Sequence, residues 1–246
     1  MRLPCSMIRL AVAVGLSLAA CIQPAQASTC PVPDAFVIPH GGLPATQTGV
    51  AIGRLTILTM GGSATAGAAA RGAEFTYPAR LEARLRAALP GVDIKVVIRA
   101  TTRMTTADLL TKLDADLAAV RPGLVIWGPG ASAAARGDDL ETFNSTLAEV
   151  MRRIKLAGAD LVMMTLQFAP SVVRVMNPYP YRMAVIRGGE MAGVPVLDRY
   201  ELMHFWSGSG FMNLDATDAE DRVRVARLLY DCMADILAEG IVSGVR

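Results

Sequence analysis

Histidine is almost missing from this chain: His40 and His204 are the only two in 246 residues. That scarcity argues against a histidine-built metal cluster, and chemistry that needs an imidazole base has two positions to draw on. A strong charge of one sign is also lacking. Lys and Arg total 24 against 22 Asp and Glu, a net charge of +2, too weak a field to argue for nucleic acid or an anionic membrane as partner. There is no G-x-x-x-x-G-K-[ST] phosphate loop, no charge run, no internal repeat and no low-complexity tract. The apolar run Leu10 to Ile22 is too short to cross a bilayer as a helix.

What is present starts with that run. Arg2 and Arg9 precede it and Ala25-Gln26-Ala27 follows, the layout of a secretory signal over residues 1–27. Leu18-Ala19-Ala20-Cys21 is similar to a bacterial lipobox, whose cysteine becomes the acylated first residue. The mature protein is therefore expected to be exported, either soluble in the periplasm or medium or lipid-anchored through Cys21. Cys30 and Cys232 then remain as an even pair in an oxidising compartment. They are expected to form a disulfide tying the N-terminal lead to the last helix, the alternative being two thiols with Cys232 simply buried.

Residues 28–50 are rich in Pro, Gly and Thr without sustained periodicity and read as an ordered or semi-ordered lead; residues 51–246 read as one domain. Strands are expected at Arg54 to Met60, Val92 to Ile98, Gly123 to Gly128, Asp160 to Leu166 and Val194 to Asp198. Helices are expected at Tyr77 to Leu89, Thr105 to Val120, Asp138 to Ala157, Pro178 to Met191 and Thr217 to Glu239. Near-continuous apolar strands separated by amphipathic helices predict a doubly wound α/β fold with a five-stranded parallel sheet covered on both faces. Thr217 followed by Glu220 predicts a capping box at the last helix.

In such sheets ligands bind at the carboxyl ends of the strands. Gly128-Pro129-Gly130-Ala131-Ser132-Ala133 formally fits a dinucleotide fingerprint, but it follows the third strand rather than the first, and no cofactor is expected. Arg99, Arg103 and Arg136 fall at strand ends, where they would bind an anionic group or lie in ordinary surface ion pairs. No metal site is expected, since the clustered acids Asp215, Asp218, Glu220 and Asp221 read as an acidic helix start.

The stretch Thr59 to Gly67, "TMGGSATAG", places a serine just after the first strand. Together with Tyr77-Pro78, Leu81-Glu82, "RPGLVIW" and Arg136-Gly137 it resembles the SGNH/GDSL hydrolase family over about Arg54 to Glu239. The resemblance implies a flavodoxin-like three-layer α/β/α fold and esterase chemistry. In that chemistry a serine attacks an ester carbonyl, a histidine accepts its proton, and backbone N–H groups with an asparagine hold the oxyanion.

Ser63 takes the nucleophile's position and Gly62 that of the Asp in GDS. The remaining positions depart from the pattern. Arg103 stands where an oxyanion glycine is expected, Ser132 where the asparagine is, Met212 at the Asp position and Asp215 at the His position. An ordinary carboxylate is a poor base for a hydroxyl, which leaves His204, in the apolar "YELMHFW", or His40 as a relocated base.

The expectation is an exported, catalytically impaired SGNH/GDSL-like protein acting as a binding or assembly component of the cell envelope. Its ligand would be a small ester, a carbohydrate or an anion, and its partner an envelope protein. The alternative is an active serine esterase on lipid or carbohydrate esters. A third reading, an interaction protein, points to the aromatic and proline-rich segment Gln167 to Met183.

Overall fold

The computed structural model describes residues 30–36 and 42–245. The signal-like segment, Cys21 and His40 lie outside the described residues. Strands β1 (Arg54–Gly61), β2 (Asp93–Ala100), β3 (Leu124–Gly128), β4 (Asp160–Met164) and β5 (Val196–Leu197) form one sheet in the order β2-β1-β3-β4-β5. Every neighbouring pair is parallel.

Period-two alternation along the strands sorts their side chains to two cores. Leu55, Ile57, Ile126, Val162 and Met164 face one core, shared with α2 (Tyr77–Ala88), α8 (Arg199–Gly208) and α9 (Ala219–Gly244). Leu58, Met60, Val125, Trp127 and Met163 face the other, closed by α3 (Thr106–Val120), α5 (Leu140–Leu156) and α7 (Tyr179–Ala192). The result is the three-layer α/β/α arrangement. Among the described residues no helix is long and apolar enough to cross a membrane.

Several local expectations are corrected. Within the lead, Pro44–Ala51 forms a helix, α1. Its eight residues carry no apolar stripe, so tertiary bonds hold it: Thr46 donates both its N–H and its hydroxyl to Asp160 Oδ2 at 2.7 Å, and Gln47 Nε2 donates to the Gly244 carbonyl. Strand β5 is only two residues long. Pro195 has no N–H to give the ladder, although its carbonyl accepts from Met163, and the Asp198 side chain turns back to cap α8. The short helices α4 (Ala131–Arg136) and α6 (Pro170–Val173) follow β3 and β4.

The capping box expected at Thr217 does not form. Asp218 is the N-cap of α9 and accepts from the N–H groups of Glu220 and Asp221 at 2.9 Å. A carboxylate is the stronger acceptor at a helix N-terminus, and Glu220 pairs instead with Arg71. Cys30 and Cys232 are joined in a disulfide, with Cα atoms 5.7 Å apart, pinning the lead to the middle of α9. Trp206 Nε1 donates to the Pro31 carbonyl and fixes the same segment against α8.

Candidate active site at the carboxyl ends of the strands

The chain leaves β1 for β2 on one side and later enters β3 on the other, so the switch point of the sheet lies between β1 and β3. Gly61 and Gly128 are paired there, and Ser63 follows two residues after Gly61. The turn is built by glycine and threonine. A Cβ on Gly61 would lie 2.5 Å from Thr65 Oγ1, so only glycine lets the buried Thr65 fold back beneath the strand end. Tyr77, at the start of α2, reaches Thr65 Oγ1 with its hydroxyl at 3.5 Å. The Gly62 carbonyl accepts from Ala66 and the Ser63 carbonyl from Ala68, which winds residues 63–70 into a run of turns.

This geometry leaves Ser63 exposed at the top of the sheet. A Cβ on Gly62 would meet nothing closer than Ser132 Oγ at 3.9 Å and the Thr101 carbonyl at 4.0 Å. The ends of β1, β2 and β3 therefore do bring Gly62, Ser63, Ser132 and the loop of Arg103 to one place. Arg103 has φ +65°, a left-handed conformation in which glycine would be less strained. Its exposed side chain has no ion pair or hydrogen bond among the described residues.

Other candidates are held elsewhere. Arg99 donates from Nε to Asp116 of α3 at 2.7 Å, and Arg136 is paired with Asp138. Both expected anion ligands are thus in partly exposed ion pairs, each with a carboxylate within reach of its own strand or helix. His204 is exposed on α8, with Nδ1 3.3 Å from Glu201 Oε1 and the ring edge-on to Phe168. Leu202, Met203 and Trp206 face the core, while His204 and Phe205 face out. Asp215 is 3.3 Å from Arg174 Nη1. Met212 is buried in the core, its N–H held by the Trp206 carbonyl. Among the described residues no side chain hydrogen-bonds Ser63 Oγ.

A second cluster lies beneath these strand ends and was not expected from the sequence. Arg199, the first residue of α8, is only 4% exposed. Its Nε donates to the Thr165 carbonyl just beyond β4, and Tyr77 and Tyr230 face it. Burial pushes the Tyr77 hydroxyl up to about 12, against smaller opposing effects of the Thr65 bond and the Arg199 cation. Burial likewise raises Tyr230 and lowers Arg199 from their ordinary values. An arginine between a short strand and a helix carries no sequence signal that separates a buried cation from a solvated one.

A family model for the Non-GDSL lipase-like family matches residues 29–246. The chain belongs to this family. Three solved structures illustrate how the Non-GDSL lipase-like fold compares. The acetylxylan esterase Axe2 from Geobacillus stearothermophilus is 21% identical with a TM-score of 0.59, covering 76% of this chain and 94% of that one. The lipase/acylhydrolase from Enterococcus faecalis is 21% identical with a TM-score of 0.61, covering 76% and 95%. TesA is 23% identical with a TM-score of 0.54, covering 72% and 97%. These likenesses establish the SGNH/GDSL hydrolase fold for this Non-GDSL lipase-like chain. No curated protein matches it.

Proposed function

We propose that the protein is exported and serves as a binding or assembly component of the cell envelope, with little or no ester hydrolysis. One observation carries this reading: among the described residues neither an imidazole nor a carboxylate hydrogen-bonds Ser63 Oγ, while His204 and Asp215 are engaged with Glu201 and Arg174. A serine hydroxyl without a base is a weak nucleophile at neutral pH. Ser132 in place of an asparagine weakens oxyanion stabilisation further, at a cost of about 10²–10³ in rate for one lost donor. The Cys30–Cys232 disulfide is compatible with an oxidising compartment and supports the exported half of the proposal.

The competing reading is an active esterase on lipid or carbohydrate esters. What favours it is the exposure of Ser63 at the sheet's switch point, beside Ser132, and the fact that Axe2 and the Enterococcus protein are described as an esterase and a lipase/acylhydrolase. The two readings separate with a fluorophosphonate probe. The proposal expects no adduct on Ser63 at high probe concentration. An adduct on the wild type that disappears in Ser63→Ala establishes the enzyme instead.

A further inference from the structure

The guanidinium of Arg199 is a buried cation without an anion among the described residues. Its Nε is satisfied by the Thr165 carbonyl. Its terminal nitrogens, Nη1 and Nη2, have no hydrogen-bond acceptor and no carboxylate partner among the described residues. Asp198, next in the chain, accepts from Arg182, Thr165 and the N–H of Glu201. Glu201 in turn serves Arg182 and His204. The groups facing Arg199 are the hydroxyls of Tyr77 and Tyr230, kept neutral by burial.

Taking an ion out of water without a counter-ion is costly, so buried charges are nearly always paired. Arginine does not resolve the problem by losing its proton. The fork also stops short of complete enclosure. Among the described residues Arg80 Nε, 3.3 Å from Asp231 Oδ1 but misaligned for a hydrogen bond, is the single fully enclosed side-chain nitrogen or oxygen without a partner. The Nη atoms of Arg199 and the Tyr230 hydroxyl, which also lack partners, therefore keep contact with solvent. A Cβ on Gly128 would sit 3.7 Å from Nη2, which places the fork at the Gly61–Gly128 row below Ser63.

We propose that Arg199 is the anchor of an oxyanion-binding site under the strand ends, taking the carboxylate of a small ligand on its paired Nη atoms with the Tyr230 hydroxyl as a further donor. A planar carboxylate matches the two parallel N–H directions that remain once Nε is committed. The anion expected at Arg99 or Arg136, which are paired with Asp116 and Asp138, is thereby assigned to a residue whose charge has no partner among the described residues. The inference rests on the reading of these strand ends as a binding site, and it names the ligand's charge.

The test is thermal melting of the purified protein in sodium acetate and, separately, inorganic phosphate, each against sodium chloride at equal ionic strength. A saturable rise in Tm of about 5–10 °C at roughly 100 times the half-saturating concentration is expected with acetate. Arg199→Met is expected to abolish the saturable rise, and Arg199→Lys, which keeps the charge without the fork, to weaken half-saturation by about tenfold. Saturation by phosphate but not acetate would identify a tetrahedral oxyanion and overturn the carboxylate assignment. A shift that grows without saturating, equals that of chloride, or persists in Arg199→Met overturns the site altogether. Should Arg199→Met fail to fold, the saturation test on the wild type and Arg199→Lys still decides. Ester turnover at Ser63 with a saturable acetate response would defeat the proposed function and leave this site standing; absence of both would do the reverse.

Discussion

Tyr77 shows how a single side chain connects the turn at Ser63 to the core. It is buried on the α2 side of the sheet and reaches Thr65, whose position in turn requires glycine at residue 61. Because its pKa rises from 10.0 to about 12 on folding, the unfolded chain loses the phenolic proton first as pH rises. Its contribution is therefore complete below pH 10 and is lost as pH climbs toward 12. Two pH units correspond to about 3 kcal/mol at the upper limit. Urea unfolding between pH 9 and 12 is expected to show a steeper alkaline loss for the wild type than for Tyr77→Phe. Parallel curves would contradict the assignment. Tyr230 is raised in the same direction, so the variant retains part of the slope.

At the scale of elements, the lead and α9 are held by one covalent bond across 202 residues of sequence. Constraining so long a loop in the unfolded chain is worth about 2–5 kcal/mol. The double variant Cys30→Ser/Cys232→Ser is expected to unfold at a lower denaturant midpoint, with that much less unfolding free energy and a steeper slope as the unfolded chain expands; equal midpoints would show that α1 and the Trp206–Pro31 bond hold the lead unaided. Most elements were legible in the sequence. β1 to β4 and α2, α3, α5, α7 and α9 fall where apolar runs and amphipathic periods put them, because all but the edge strand β2, which buries only Ile94, bury a continuous apolar face. The misses are elements whose order comes from tertiary bonds: α1, tied to Asp160 and Gly244, and β5, cut short by Pro195 and the Asp198 cap. Ser63, Gly62 and Ser132 were legible because they follow predicted strands. Arg199 was not, since burial of a polar residue depends on what packs over it from α2 and α9.

For the molecule as a whole, the parallel sheet gathers two different sets of groups at one end. On top stand the hydroxyls of Ser63 and Ser132, with no base hydrogen-bonded to Ser63 Oγ among the described residues; beneath lies Arg199, with no carboxylate partner among them. Met212 lies in the core and Asp215 beside Arg174, and under the proposed function the upper set, with these residues at the Asp and His positions, does not turn over esters. The most direct measurement is steady-state hydrolysis of 4-nitrophenyl acetate by the wild type and Ser63→Ala. The account predicts rates equal within about twofold, and a fall of roughly 10²-fold or more in kcat/KM on removing the Ser63 hydroxyl would contradict it.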